Sequence, residues 1–136
     1  MAGADLNLRT ANGESALHLA ARSGELKNAE ILLNCGSDVN AVDLEERTPL
    51  FNAAENEHFQ VASLLIKSGA NLNHVDKENM TPLLLAAGLG KFAVCELLIA
   101  DDVSVNVEDK QWKTPLMLAV EGKHLPFVEV SANRPG

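Results

Sequence analysis

The apolar positions of this chain come in short bursts that return at a fixed interval. Ser15, Thr48, Thr81 and Thr114 stand 33 residues apart, each followed by Ala16, Pro49, Pro82 or Pro115 and then by Leu17, Leu50, Leu83 or Leu116. The same step relates Ala20, Ala53, Ala86 and Ala119, and in a second burst Leu32, Leu65 and Leu98. Polar columns keep the period too: Asn40, Asn73 and Asn106, then Asp43, Asp76 and Asp109. Self-similarity at one period marks a repeat architecture, in which each unit buries its apolar face against its neighbours.

Each column has a physical role. Ser or Thr directly before Ala or Pro predicts a helix start, where the hydroxyl caps an orphan amide and Pro has no amide to satisfy. Leu50, Ala53 and Ala54 fall at i, i+3 and i+4 on one helical face, and the alanines let a neighbouring helix approach closely. A second helix is expected over residues 59–66, matched by 26–33 and 92–99. In the first two repeats Gly36 and Gly69 follow it and supply a left-handed C-terminal cap. Asn73, Asp76 and their counterparts bond their own backbone in turns, so the link to the next unit should be a tight projecting hairpin or loop.

The segments SALHLAARSGELKNAEILLNCGSDVNA, TPLFNAAENEHFQVASLLIKSGANLNH and TPLLLAAGLGKFAVCELLIADDVSVNV resemble ankyrin repeats, and the likeness spans about residues 3–130. It implies an all-α ankyrin-repeat solenoid of about four helix-turn-helix repeats joined by β-turn or hairpin loops. The expected division is the end of a truncated preceding repeat at 1–9, repeats at 10–42, 43–75 and 76–108, a degenerate C-terminal repeat at 109–130 and a disordered tail at 131–136. Gly3 to Asn7 align with Gly36 to Asn40, as expected of a piece cut from a longer array. Asp102 stands where a capping glycine is expected, and Ser131 and Ala132 replace Leu65 and Ile66, so the last helix should be short or frayed.

Composition narrows the function. With 46% hydrophobic residues but 4% aromatic ones and no Tyr, the core must be built of Leu, Ala, Val and Ile. No apolar run reaches the roughly 18 residues of a membrane span, and residues 1–7 have neither the basic stretch nor the apolar core of a secretory signal. Cys35 and Cys95 lack CxxC spacing, so both are expected to be reduced core thiols in an intracellular protein, cytoplasmic or nuclear. A net charge of −8 argues against nucleic acid and for a protein or peptide partner of basic or neutral character. No GxGxxG, P-loop, HExxH or GxSxG motif occurs, and the 19 acidic residues are dispersed, so no enzyme, metal or cofactor is expected. His18 fills the His of the TPLH signature, which by resemblance bonds the Ser at the helix start; His58, His74 and His124 are expected on the surface.

Positions that vary from repeat to repeat are free of packing duty and can carry specificity. In the second repeat these are Leu44, Glu45 and Arg47 in the hairpin and Glu55 and Asn56 on the first helix; in the third, Lys77, Glu78, Met80, Gly88 and Leu89; in the fourth, Lys110, Gln111, Lys113 and Glu121. The resemblance implies that these hairpin tips and first-helix faces line a concave groove used for protein recognition. Leu44, Met80 and Leu89 are apolar where the stack needs no burial, and Trp112 is either a contact hot spot or a cap over the last repeat. A monomeric interaction module is the expectation. The alternative is a reader of a basic or methyl-lysine-containing histone tail, which requires clustered exposed aromatics, whereas Phe59 and Phe92 fall in columns expected to be buried.

Overall fold

The computed structural model describes residues 6–100 and Met117. Among them are three helix pairs and no strand: α1 (Ala16–Ser23) with α2 (Leu26–Asn34), α3 (Pro49–Glu55) with α4 (Phe59–Lys67), and α5 (Pro82–Leu89) with α6 (Phe92–Ala100). The helix start expected at Thr114, the loop at Asp102 and the C-terminal tail lie outside the described residues.

The first helices begin after Ser15, Thr48 and Thr81, as their columns predict. Ser15 Oγ accepts the His18 amide at 3.3 Å, while His18 Nδ1 accepts the Ser15 amide at 3.1 Å, closing a reciprocal capping box. Thr81 Oγ1 accepts the Leu84 amide at 3.2 Å. Thr48 departs from the expected cap. The Phe51 amide reaches the Thr48 carbonyl at 3.0 Å instead, and the buried Thr48 hydroxyl has no hydrogen-bond partner among the described residues. The first turn of α3 is thus closed by backbone alone, with Pro49 fixing its entry.

Each second helix runs one residue beyond its expected end. Gly36 and Gly69, at φ 98 and 97, take the left-handed conformation after α2 and α4. Ser37 N–H then reaches the Leu32 carbonyl at 3.0 Å and Gly36 N–H the Leu33 carbonyl at 3.1 Å, and Ala70 and Gly69 repeat the pattern on Leu65 and Ile66. These paired bonds satisfy carbonyls that the helix end would otherwise orphan.

α1, α3 and α5 pack side by side in one row, and α2, α4 and α6 form a second row behind them. Leu17, Leu50 and Leu83 are fully buried, as are Ala21, Ala54 and Ala87. The second row contributes Leu32, Leu65 and Leu98 and the small-residue column Ala29, Ala62 and Cys95. Cys95 is therefore a core thiol, and burial pushes its pKa up to about 12. Cys35 is not: it caps α2 and is exposed, because it lies past the last turn that faces the stack. Phe59 is a second correction, 45% exposed rather than buried, since it opens α4 at the edge of the row.

Between helix pairs the chain makes a hairpin, seen at residues 10–14, 43–47 and 76–80. Asp43 N–H bonds the Arg47 carbonyl at 3.0 Å and Asp76 N–H the Met80 carbonyl at 2.9 Å. Successive hairpins are zipped together by Leu44 N–H to the Asn12 carbonyl and Lys77 N–H to the Glu45 carbonyl, both at 3.1 Å. Asn40 clamps the next repeat, donating to the Gly69 carbonyl at 3.2 Å and accepting the Asn71 amide at 2.8 Å. These bonds hold equivalent residues of adjacent repeats next to one another, which is what builds a surface from columns.

Candidate functional site

Hairpin tips are made rigid by their own aspartates. Asp43 Oδ1 accepts the amides of Glu45 at 2.8 Å and Arg47 at 2.9 Å, and Asp76 Oδ1 does the same for Glu78 and Met80. With the backbone donors turned inward, the side chains at the tip face solvent, and Leu44 is 60% exposed. Beside it, where the first two hairpins meet α1 and α3, lies a depression of about 320 Å³. Leu44, Glu45, Arg47 and Glu55 all line it, so four of the residues expected at a binding face are brought together.

The charges around this depression are unequally occupied. Arg22 Nη1 pairs with Glu14 Oε2 at 2.6 Å, and Arg47 Nε pairs with Asp76 Oδ2 at 2.9 Å. Asp76 is buried, and the Arg47 guanidinium also lies 5.8 Å from the centre of the Phe51 ring. Arg47 is thus a tie between the second and third repeats as well as a lining residue. Glu45 and Glu55 are exposed and enter no ion pair among the described residues.

The remaining expected residues stand nearby but apart. Asn56 donates to the Asn52 carbonyl at 2.9 Å. Lys77 and Glu78 are exposed one repeat further on, Met80 is half-buried, and Leu89 is 46% exposed at the end of α5, close to the exposed Gly88. Lys110, Gln111, Trp112, Lys113 and Glu121 lie outside the described residues.

The depression also holds residues that sequence reasoning passed over: Asn12, Glu14, Arg22 and Asn52. The first three are the repeat-one members of columns already singled out through Glu45, Arg47 and Glu55, so extending those columns back by one period finds them. Asn52 carried its own signal, an amide in a column where the neighbouring repeats have Leu19 and Leu85.

His18 is fully buried, held between Ser15 and the Arg47 carbonyl, which its Nε2 meets at 2.8 Å. Burial pushes its pKa below the ordinary 6.5, although the bond to the Arg47 carbonyl acts the other way. His58 caps the Arg22 carbonyl of the preceding repeat, and His74 the Glu46 carbonyl at the start of its own. Among the described residues no three His, Cys, Asp or Glu side chains gather to hold a metal ion, and no helix is long and apolar enough to cross a membrane.

A family model described as ankyrin repeats (3 copies) matches residues 1–76 and 68–130. No curated protein matches the chain.

Proposed function

Because the chain belongs to the ankyrin-repeat family, we propose that it is a non-catalytic module that binds a peptide or protein partner along the face made by its hairpin tips and first helices. Ankyrin repeats generally mediate protein–protein interaction, and the family is typically non-catalytic. The observation that carries the finer reading is the depression at the first two repeats, where an exposed Leu44 stands beside the carboxylates of Glu45 and Glu55, which enter no ion pair among the described residues. An apolar contact next to negative charge suits a partner segment with apolar and basic residues, as does the net charge of −8. Leu89 extends the apolar contact one repeat on, and Lys110, Gln111, Trp112, Lys113 and Glu121 belong to the same columns. The module works as a monomer inside the cell, as part of a larger scaffold or regulatory protein. Methyl-lysine recognition is not favoured by the described residues: Phe51 is fully buried, and Phe59 opens a second-row helix away from this face.

Selection of a displayed random 12-residue peptide library on the chain tests this reading. Binders should be rich in Lys, Arg and apolar residues. Their affinity for a Leu44→Ser, Glu45→Ala, Leu89→Ser variant should fall by about tenfold or more, or at least about 1.4 kcal/mol. Peptides that bind the variant equally well, or whose amide-shift footprint falls on α2, α4 and α6, would overturn it.

A further inference from the structure

Asn52 is an amide at a place where the stack uses leucine. Leu19 and Leu85 occupy its column in the adjacent repeats, yet Asn52 is only 7% exposed and lines the depression. Its Nδ2 donates to the His18 carbonyl at 3.1 Å, which fixes the plane of the amide and assigns the oxygen to the other side. That oxygen accepts no hydrogen bond from the described residues. Asn52 is otherwise buried, yet this oxygen is not shut away from solvent as the Thr48 hydroxyl is, so within the open depression it is an acceptor that a donor from outside the chain can reach in place of water.

The surroundings define that donor. Four carboxylates line the depression against two guanidiniums, and both guanidiniums are already paired, Arg22 to Glu14 and Arg47 to Asp76 outside the lining. What is left uncommitted is acceptor capacity: Asn52 Oδ1 at the floor and Glu45 and Glu55 at the rim. Acceptors on different sides suit a planar fork of several donors better than a compact ammonium, and the exposed Leu44 offers apolar surface to an aliphatic stem. We propose that the depression beside Asn52 is a receptor for one arginine side chain of the partner, its guanidinium donating to Asn52 Oδ1 and to the carboxylates of Glu45 and Glu55. This rests on the binding-face function above and names the residue that face selects.

The test is an NMR titration of the full chain with acetyl-arginine amide, acetyl-lysine amide and acetyl-citrulline amide. The arginine derivative should shift the Asn52 side-chain amide and the backbone amides of Asn12, Leu44 and Glu55 saturably, the lysine derivative should bind more weakly, and the citrulline derivative, which has the shape without the charge, should leave them unmoved. Asn52→Leu, which installs the residue of the neighbouring repeats and should keep the fold, and Glu55→Gln should each weaken arginine binding by about tenfold, as loss of a charge-assisted hydrogen bond implies. Equal response to arginine and lysine, a response to citrulline, or an affinity untouched by Asn52→Leu overturns the proposal. Library peptides that bind this face without any arginine response at Asn52 would overturn the arginine receptor and leave the interaction function standing; an arginine response with no peptide bound would do the reverse.

Discussion

His18 joins two repeats through a single tautomer. The Ser15 amide can only donate and the Arg47 carbonyl can only accept, so Nδ1 is bare and Nε2 carries the proton. A second proton would face the Ser15 amide and break the cap of α1. Burial outweighs the Arg47 carbonyl bond and the nearby Asp43 and Glu14 carboxylates, so the ring titrates below the ordinary 6.5. Between that lowered value and 6.5 the unfolded chain binds more protons than the folded one. The stability His18 contributes is complete above pH 6.5 and is lost as pH falls through the folded value. Urea midpoints followed from about pH 7.5 to about pH 5 should drop more steeply for the native chain than for His18→Leu, which places the repeat-three residue there. Parallel curves would show that the imidazole carries no such linkage.

Helix ends show where one repeat departs from its neighbours. α1 and α5 close on Gly24 and Gly90, both at φ 73, while the same position after α3 is Glu57, at φ 57. The Glu57 amide bonds the Ala54 carbonyl and the His58 amide the Ala53 carbonyl, so the cap geometry is kept although an L side chain is strained there. Glu57→Gly should raise stability by about 1 kcal/mol, seen as a higher urea midpoint at unchanged slope. A lower midpoint would mean that contacts of the Glu57 side chain outweigh the strain. Glycine in the column has a further duty in the first repeat, where a Cβ on Gly24 would lie 2.5 Å from His58 Nδ1 and displace the ring that caps the Arg22 carbonyl.

At the scale of the molecule, each row of helices is a chain of nearest-neighbour contacts, α4 touching α2 on one side and α6 on the other. Leu65 lies fully buried in that middle helix. Leu65→Ala should cost about 2–5 kcal/mol, whereas Glu55→Ala on the exposed face should stay within about 0.5 kcal/mol. Because coupling runs through neighbours, amide exchange in Leu65→Ala should speed up in α2 and α6 as well as in α4. Acceleration confined to α4 would show that the repeats open independently.

The helix pairs, the caps at Ser15 and Thr81, the glycine stops and the assignment to a repeat family were all legible in the sequence, because caps, periodicity and turn chemistry are local properties of the chain. The columns also foretold neighbours: Leu44, Glu45, Arg47 and Glu55 line one depression. What a column cannot say is which donor finds which acceptor. Arg47 is occupied because Asp76, 29 residues on, is buried beside it, and the Asn52 oxygen accepts nothing from the described residues because its nitrogen meets the His18 carbonyl of the preceding repeat. Cys35 and Cys95 sit in similar apolar sequence, yet only Cys95 falls on the inner side of the row. Those outcomes depend on how closely and at what angle neighbouring repeats pack, a distance of a few tenths of an ångström that decides hydrogen bonds and burial but leaves no mark on the period.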